Sequence, residues 1–165
     1  MARAHTRALR SHTAASCRWC QKQTGASFAL HAFIEKNKLK ILAGEVEEVT
    51  VESPSGAGQV MTRCSKCHFA VWSVYLSLGP EAEVVRSLDV GTLDEPDACP
   101  PDYHIYTHHK QRWITFSDDI PVFDQLYDEN EIWPKDKLLR RRKALEKKTQ
   151  KMRLEPIHEG DYVAG

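Results

Sequence analysis

Gln59-Val60-Met61-Thr62-Arg63-Cys64-Ser65-Lys66-Cys67-His68-Phe69-Ala70-Val71-Trp72-Ser73-Val74-Tyr75-Leu76 is the stretch whose reading decides the fold. Gln59 to Arg63 reads as a strand entering a Cys-x-x-Cys loop, and the β-branched and aromatic run from Phe69 to Leu76 reads as a second strand leaving it. Such a loop turns back on itself and points two sulfurs at one centre. That geometry suits tetrahedral zinc, which would pin the end of the hairpin. The same spacing occurs earlier, at Cys17-Arg18-Trp19-Cys20. Forty-three residues separate the pairs, more than the roughly fifteen to twenty of a compact zinc ribbon. A folded β segment is therefore expected between them, with the two pairs as neighbours in space.

Outward from the knuckles, the chain alternates short apolar runs with turn residues. Gln21 to Gly25 reads as a helical turn closed by a left-handed glycine cap. Ser27 to Ile34, Leu39 to Leu42 and Val46 to Val51 read as strands, punctuated by Gly44 and by Ser53-Pro54-Ser55-Gly56. Val84 to Val90 is a further strand, and a loop carrying Cys99-Pro100-Pro101 precedes two short apolar runs, His104 to Thr107 and Trp113 to Phe116. These elements predict a mainly β domain of small, coiled antiparallel sheets.

The ends of the chain differ from its middle. Residues 1 to 16 are rich in Ala and Arg, and the first acidic residue is Glu35; this start is expected to be disordered, and its composition also fits a mitochondrial transit peptide. From Lys135 to Leu154, ten basic residues stand against two acidic ones. Leu138, Leu139, Ala144, Leu145 and Met152 give that stretch a thin apolar stripe, so a basic α-helix of about five turns starts near Pro134. It is expected to be a solvated appendage, with nucleic acid or an acidic partner as the alternative use of residues 135–154.

A chain of 165 residues and 18.8 kDa has room for one core of ordinary size. Twenty-three basic residues balance twenty-three acidic ones, which leaves no overall bias toward nucleic acid or membrane. Five cysteines, an odd number, and the lack of a secretory apolar segment point to thiolates in a reducing, cytoplasmic setting and away from a disulfide framework. No apolar run approaches the roughly 20 residues needed to span a bilayer.

The metal ligands expected are Cys17, Cys20, Cys64 and Cys67, with zinc as the cofactor. Arg18, Lys22, Arg63 and Lys66 sit within or beside the pairs, where their charge would offset that of bound thiolates. Dithiol redox chemistry is the competing use of a Cys-x-x-Cys pair, although no βαβ unit of the kind that normally carries it is visible. Cys99 has no partner at ligand spacing. Among the histidines, His31 lies in a strand, His104, His108 and His109 cluster, and His68 directly follows a knuckle cysteine.

Taken in order, Cys17-x-x-Cys20-Gln21-Lys22-x-Thr24-Gly25-x-x-Phe28-Ala29, Leu42-x-Gly44, Cys64-x-x-Cys67, Gly91-Thr92-Leu93-Asp94-x-Pro96, His104-Ile105 and Trp113 resemble the glutathione-dependent formaldehyde-activating (GFA) family, which includes centromere protein V. The resemblance runs from about Ala15 to Phe123. It implies a β-tent fold with two zinc sites and carbon–sulfur lyase activity, typified by joining formaldehyde and glutathione into S-hydroxymethylglutathione. By the family pattern Cys64 and Cys67 belong to a structural zinc, and Cys17 and Cys20 are the last two ligands of a catalytic one. An open position on a three-thiolate zinc would activate a substrate sulfur or oxygen.

The chain departs from that pattern. Ala15 fills the slot of the first catalytic cysteine, Ser16 stands where histidine is frequent, His68 replaces a frequent glycine, and residues 1–14 hold no Cys-x-Cys. Either the four cysteines close on one structural zinc or each pair holds a depleted site. The expected organisation is a disordered or shortened start (1–14), a GFA-type zinc-binding β domain (15–127) and a basic helical extension (128–165). The expected activity is that of a carbon–sulfur lyase on adducts of a small thiol such as glutathione with an aldehyde; the alternative is a zinc-stabilised binding module that uses the basic helix.

Overall fold

The computed structural model describes residues 3–6 and 11–154. Its strands are β1 (Arg3–Thr6), β2 (His12–Ala15), β3 (Ala29–Glu35), β4 (Leu39–Ala43), β5 (Val46–Val51), β6 (Gln59–Cys64), β7 (Ala70–Tyr75), β8 (Val85–Asp89) and β9 (Tyr103–Ile105). The α-helices are α1 (Arg18–Thr24), α2 (Glu129–Ile132) and α3 (Lys135–Leu154). One seven-stranded sheet runs in the order β5-β6-β7-β8-β3-β2-β9, and β1 and β4 form a two-stranded sheet beside it. Every pairing is antiparallel except that of β2 with β9. The chain is mainly β, as expected, but most of its strands are collected into one mixed sheet instead of several small antiparallel ones.

The strand β2 makes that difference. His12–Ala15, within and just past the start expected to be disordered, lies between β3 and β9 and pairs with both. Ala14 is fully buried and Ala15 nearly so. Two methyl side chains fit that position because larger ones would collide with the packed layers on either side. Their low β-propensity hides the strand in the sequence.

Side-chain alternation gives the large sheet two unlike faces. On one, Ala32, Ile34, Trp72 and Leu88 pack with Cys64, Val90 and Cys99 into the apolar core. The register His31↔Asp89, Phe33↔Ser87, Ser73↔Ser87, Gln59↔Tyr75 and Thr13↔His31 sets a second, more polar series on the opposite face. There α1 covers the sheet, with Cys20 packed on Ala15, Ala29 and Ile105.

Local signals end α1 as expected: Gly25 is left-handed at φ 69°, and its N–H donates to the Gln21 carbonyl at 2.9 Å. The run Trp113 to Phe116 is not a strand; Trp113 is 72% exposed. α3 spans the expected residues and begins directly after Pro134. It does not stand off as a solvated appendage. Arg140 forms a two-pronged pair with buried Glu35, Arg141 pairs with buried Glu81 at 2.8 Å, and Lys137 reaches Asp102 at 3.6 Å. No helix among the described residues is long and apolar enough to cross a membrane.

Candidate active site

Cys17 is the N-cap of α1, and its sulfur accepts the Cys20 N–H at 3.2 Å. The same turn brings the two sulfurs to 2.9 Å. Their shared hydrogen bond holds the Cys17 thiol down at about 6 and pushes Cys20 well above the ordinary thiol range, with burial adding to the second effect. The Gln21 side-chain amide fixes the helix start by donating to the carbonyls of Ser16 at 2.6 Å and His109 at 3.0 Å. Trp19 Nε1 donates to Gln59 Oε1 at 3.0 Å and ties α1 to the polar face of the sheet.

The second pair lies elsewhere. Cys64 is buried in the apolar core on the face away from α1, and Cys67 is exposed. The connecting turn is closed by the His68 N–H to the Cys64 carbonyl at 2.8 Å and by the Cys64 N–H to the Phe69 carbonyl at 3.0 Å. His68 takes the left-handed conformation at φ 58°, which explains why glycine suits that position. Its ring meets Glu47 at 2.9 Å. The expectation of neighbouring pairs, and of one closed four-sulfur site, is not met: the middle of the sheet separates them.

Two ligands of a tetrahedral zinc–thiolate shell lie about 3.8 Å apart when each bond is about 2.3 Å; Cys17 and Cys20 lie closer together, at 2.9 Å. Ala15, at the slot of a third thiolate, puts its methyl against Cys20. Among the described residues no group of three or more His, Cys, Asp or Glu side chains is placed to hold a metal. The described side chains do not complete a zinc site.

What the polar face does form is a cavity of about 570 Å³, within the range of small-molecule sites. Cys17, Cys20 and Trp19 stand on one wall, and His31 and Tyr75 on another. Tyr75 Oη lies 3.2 Å from His31 Nε2, and His31 Nδ1 lies 3.5 Å from Asp89 Oδ1. Neighbouring strands β7, β8 and β3 thus supply one group each to a linear series. Burial pushes His31 down to about 4 and Asp89 up to about 7, so that both sit uncharged under mildly acidic conditions. Tyr75 is raised too, chiefly by burial and then by the charge of the cysteine pair and Asp89. Among the described residues, the buried atoms His31 Nδ1, Asp89 Oδ2 and Gln59 Nε2 have no hydrogen-bond partner. Buried polar atoms left in this way cost about 1–3 kcal/mol each and concentrate where a substrate completes them.

The other singled-out residues fall outside this series. Cys99 is a core side chain. His104 is buried on the far face of β9 and packs on Phe116 at 4.2 Å. His108 bonds the Asp124 carbonyl through its ring and stacks on His109, which reaches the cavity. The sequence reading missed Tyr75 and Asp89, whose signal was a polar group on the alternate positions of otherwise apolar strands.

A family model described as glutathione-dependent formaldehyde-activating enzyme matches residues 4–109. A comparison with curated proteins finds none that matches.

Proposed function

The chain belongs to the glutathione-dependent formaldehyde-activating enzyme family, and from that premise we propose that it is a carbon–sulfur lyase acting on adducts of a small thiol with an aldehyde. The observation that carries the reading is the cavity in which a cysteine pair faces the Tyr75, His31 and Asp89 series.

An adduct R–S–CH(OH)–R′ breaks down when its hydroxyl loses a proton, the C–O bond becomes a carbonyl, the C–S bond breaks, and the departing sulfur keeps the electron pair and gains a proton. The first proton passes to Tyr75 Oη as Tyr75 gives its own to His31 Nε2. Asp89, once ionised, holds His31 through its Nδ1–H, which leaves Nε2 as the acceptor. The departing sulfur recovers that proton from His31 Nε2 by way of Tyr75 Oη, so the site ends in the state in which it began. Synthesis of the adduct is the reverse. Aligned donors and acceptors in a cavity that restricts water supply the remaining advantage.

Two-dimensional exchange NMR of glutathione with formaldehyde tests this directly. The full-length protein is expected to speed interconversion above the buffer rate, and Tyr75→Phe is expected to remove most of that gain. Equal exchange with and without the wild-type protein would overturn the proposal. A binding module that works through the basic helix fits less well, because Arg140, Arg141 and Lys137 are engaged with the domain itself.

A further inference from the structure

The cavity is larger than a hydroxymethyl group requires, and part of its wall comes from outside the family-matched residues. Leu126, Tyr127 and Trp133 all line it, whereas the match ends at residue 109. These side chains are held in place. The Phe123 N–H donates to the His104 carbonyl at 2.8 Å and the Thr107 N–H to the Phe123 carbonyl at 3.2 Å, which lays this segment along the end of β9. Tyr127 packs its ring on Tyr103 and Phe123, each at 5.0 Å, and accepts a hydrogen bond from Trp133 Nε1 at 3.0 Å. Trp133 is buried and immediately precedes Pro134 and α3, whose Arg141 grips Glu81 on the cavity wall.

Phe33 and Val85 of the sheet also line the space, so it is walled by both the sheet and the extension. A cavity of roughly 150 Å³ already admits a benzene-sized group, and this one is about 570 Å³. The extension reaches the reactive groups, because Tyr127 packs together with Cys17 on the cluster of Ala15, Cys20, Ala29 and Ile105.

We infer that the aldehyde half of the substrate carries a bulky apolar, aryl-sized group that sits against Leu126, Tyr127 and Trp133, and that these three residues set the enzyme's choice of adduct. This rests on the lyase reading above and names its substrate class. A methylene-rich or aromatic group gains binding from burial in such a pocket, while a formaldehyde adduct leaves that space unfilled.

The test compares glutathione adducts of benzaldehyde and formaldehyde in the full-length protein, with each enzymatic rate divided by its buffer rate. Wild type is expected to favour the benzaldehyde adduct in kcat/KM by about tenfold or more, and Leu126→Ala and Trp133→Phe to reduce that ratio severalfold. Leu126 is 65% exposed at the cavity mouth, so Leu126→Trp is compatible with folding; by narrowing the space it is expected to cut the same ratio further. Binding of S-benzylglutathione, a thioether that cannot be cleaved, separates the two claims. If neither adduct turns over but S-benzylglutathione binds and Leu126→Trp weakens it about tenfold, the lyase reading fails and the apolar subsite stands. If both adducts turn over at equal relative rates and the Leu126 variants leave the ratio unmoved, the subsite is overturned and the lyase reading stands.

Discussion

Along β3, β7 and β8 each step of one residue crosses from one face of the sheet to the other, and the two faces do different work. Ile34, Trp72 and Leu88 close an apolar core in which even Cys64 is packed as a small hydrophobe. His31, Tyr75 and Asp89, one or three residues away, face a cavity with polar atoms left unpaired among the described residues. The apolar face stabilises the sheet, and that stability allows the other face to keep groups that oppose folding. The cysteine pairs show the same division: one borders the cavity, and the other joins the core to the surface.

Substitutions on the two faces are expected to have opposite effects on turnover and stability. The largest effect is expected for His31→Gln, which removes the proton acceptor: turnover should fall by about 10²- to 10⁴-fold with the melting temperature kept, as read by exchange kinetics and thermal unfolding. Leu88→Ala, one position from Asp89 but on the apolar face, should do the reverse, costing about 2–5 kcal/mol in urea unfolding while the folded fraction retains its activity. A collapse of turnover per folded molecule in Leu88→Ala would blur the division between faces.

Asp89→Asn should stabilise the protein at alkaline pH. The Asp89 carboxyl rises from 3.8 to about 7 on folding, so the folded state binds the proton more tightly. Stability contributed by the protonated group is complete below pH 3.8 and is lost as pH rises through about 7. The variant has no such loss and should exceed wild type by up to about 4 kcal/mol at pH 8, with the advantage gone at pH 4. Smaller still, Arg141→Ala should cost about 1–2 kcal/mol, because the Glu81 carboxylate it pairs with is buried but the arginine is partly in water. The smallest effect is expected from a strong chelator, which should move the melting temperature by no more than the ~1 kcal/mol scale of a surface contact; loss of folding on chelation would restore zinc to the centre of the fold.

Much of this fold was legible in the sequence, and the reasons for the exceptions are physical. β3 through β8 announced themselves by β-branched and aromatic residues between turn residues, and α1 and α3 by a glycine cap and a proline start. β2 did not, because Thr13-Ala14-Ala15 owes its place to a tight fit between two strands and not to its own propensity. Trp113 to Phe116 misled for the opposite reason: its apolar side chains read as a strand, yet Trp113 lies in solvent. For the site, the spacing of Cys17 and Cys20 was readable but the position of their would-be partners was not, since two knuckles of equal spacing carry no mark of which face each will take. Tyr75, His31 and Asp89 meet only through strand register, so no local motif could reveal them.

In the proposed lyase, proton transfer runs through His31 held by an ionised Asp89, and the pH dependence of kcat/KM for adduct cleavage reads that step. In wild type the rate should climb as pH rises through about 7, the value to which burial lifts the Asp89 carboxyl, and Asp89→Asn should lack that climb at a reduced, flat rate. A variant that retains the wild-type profile, climb included, would contradict the account.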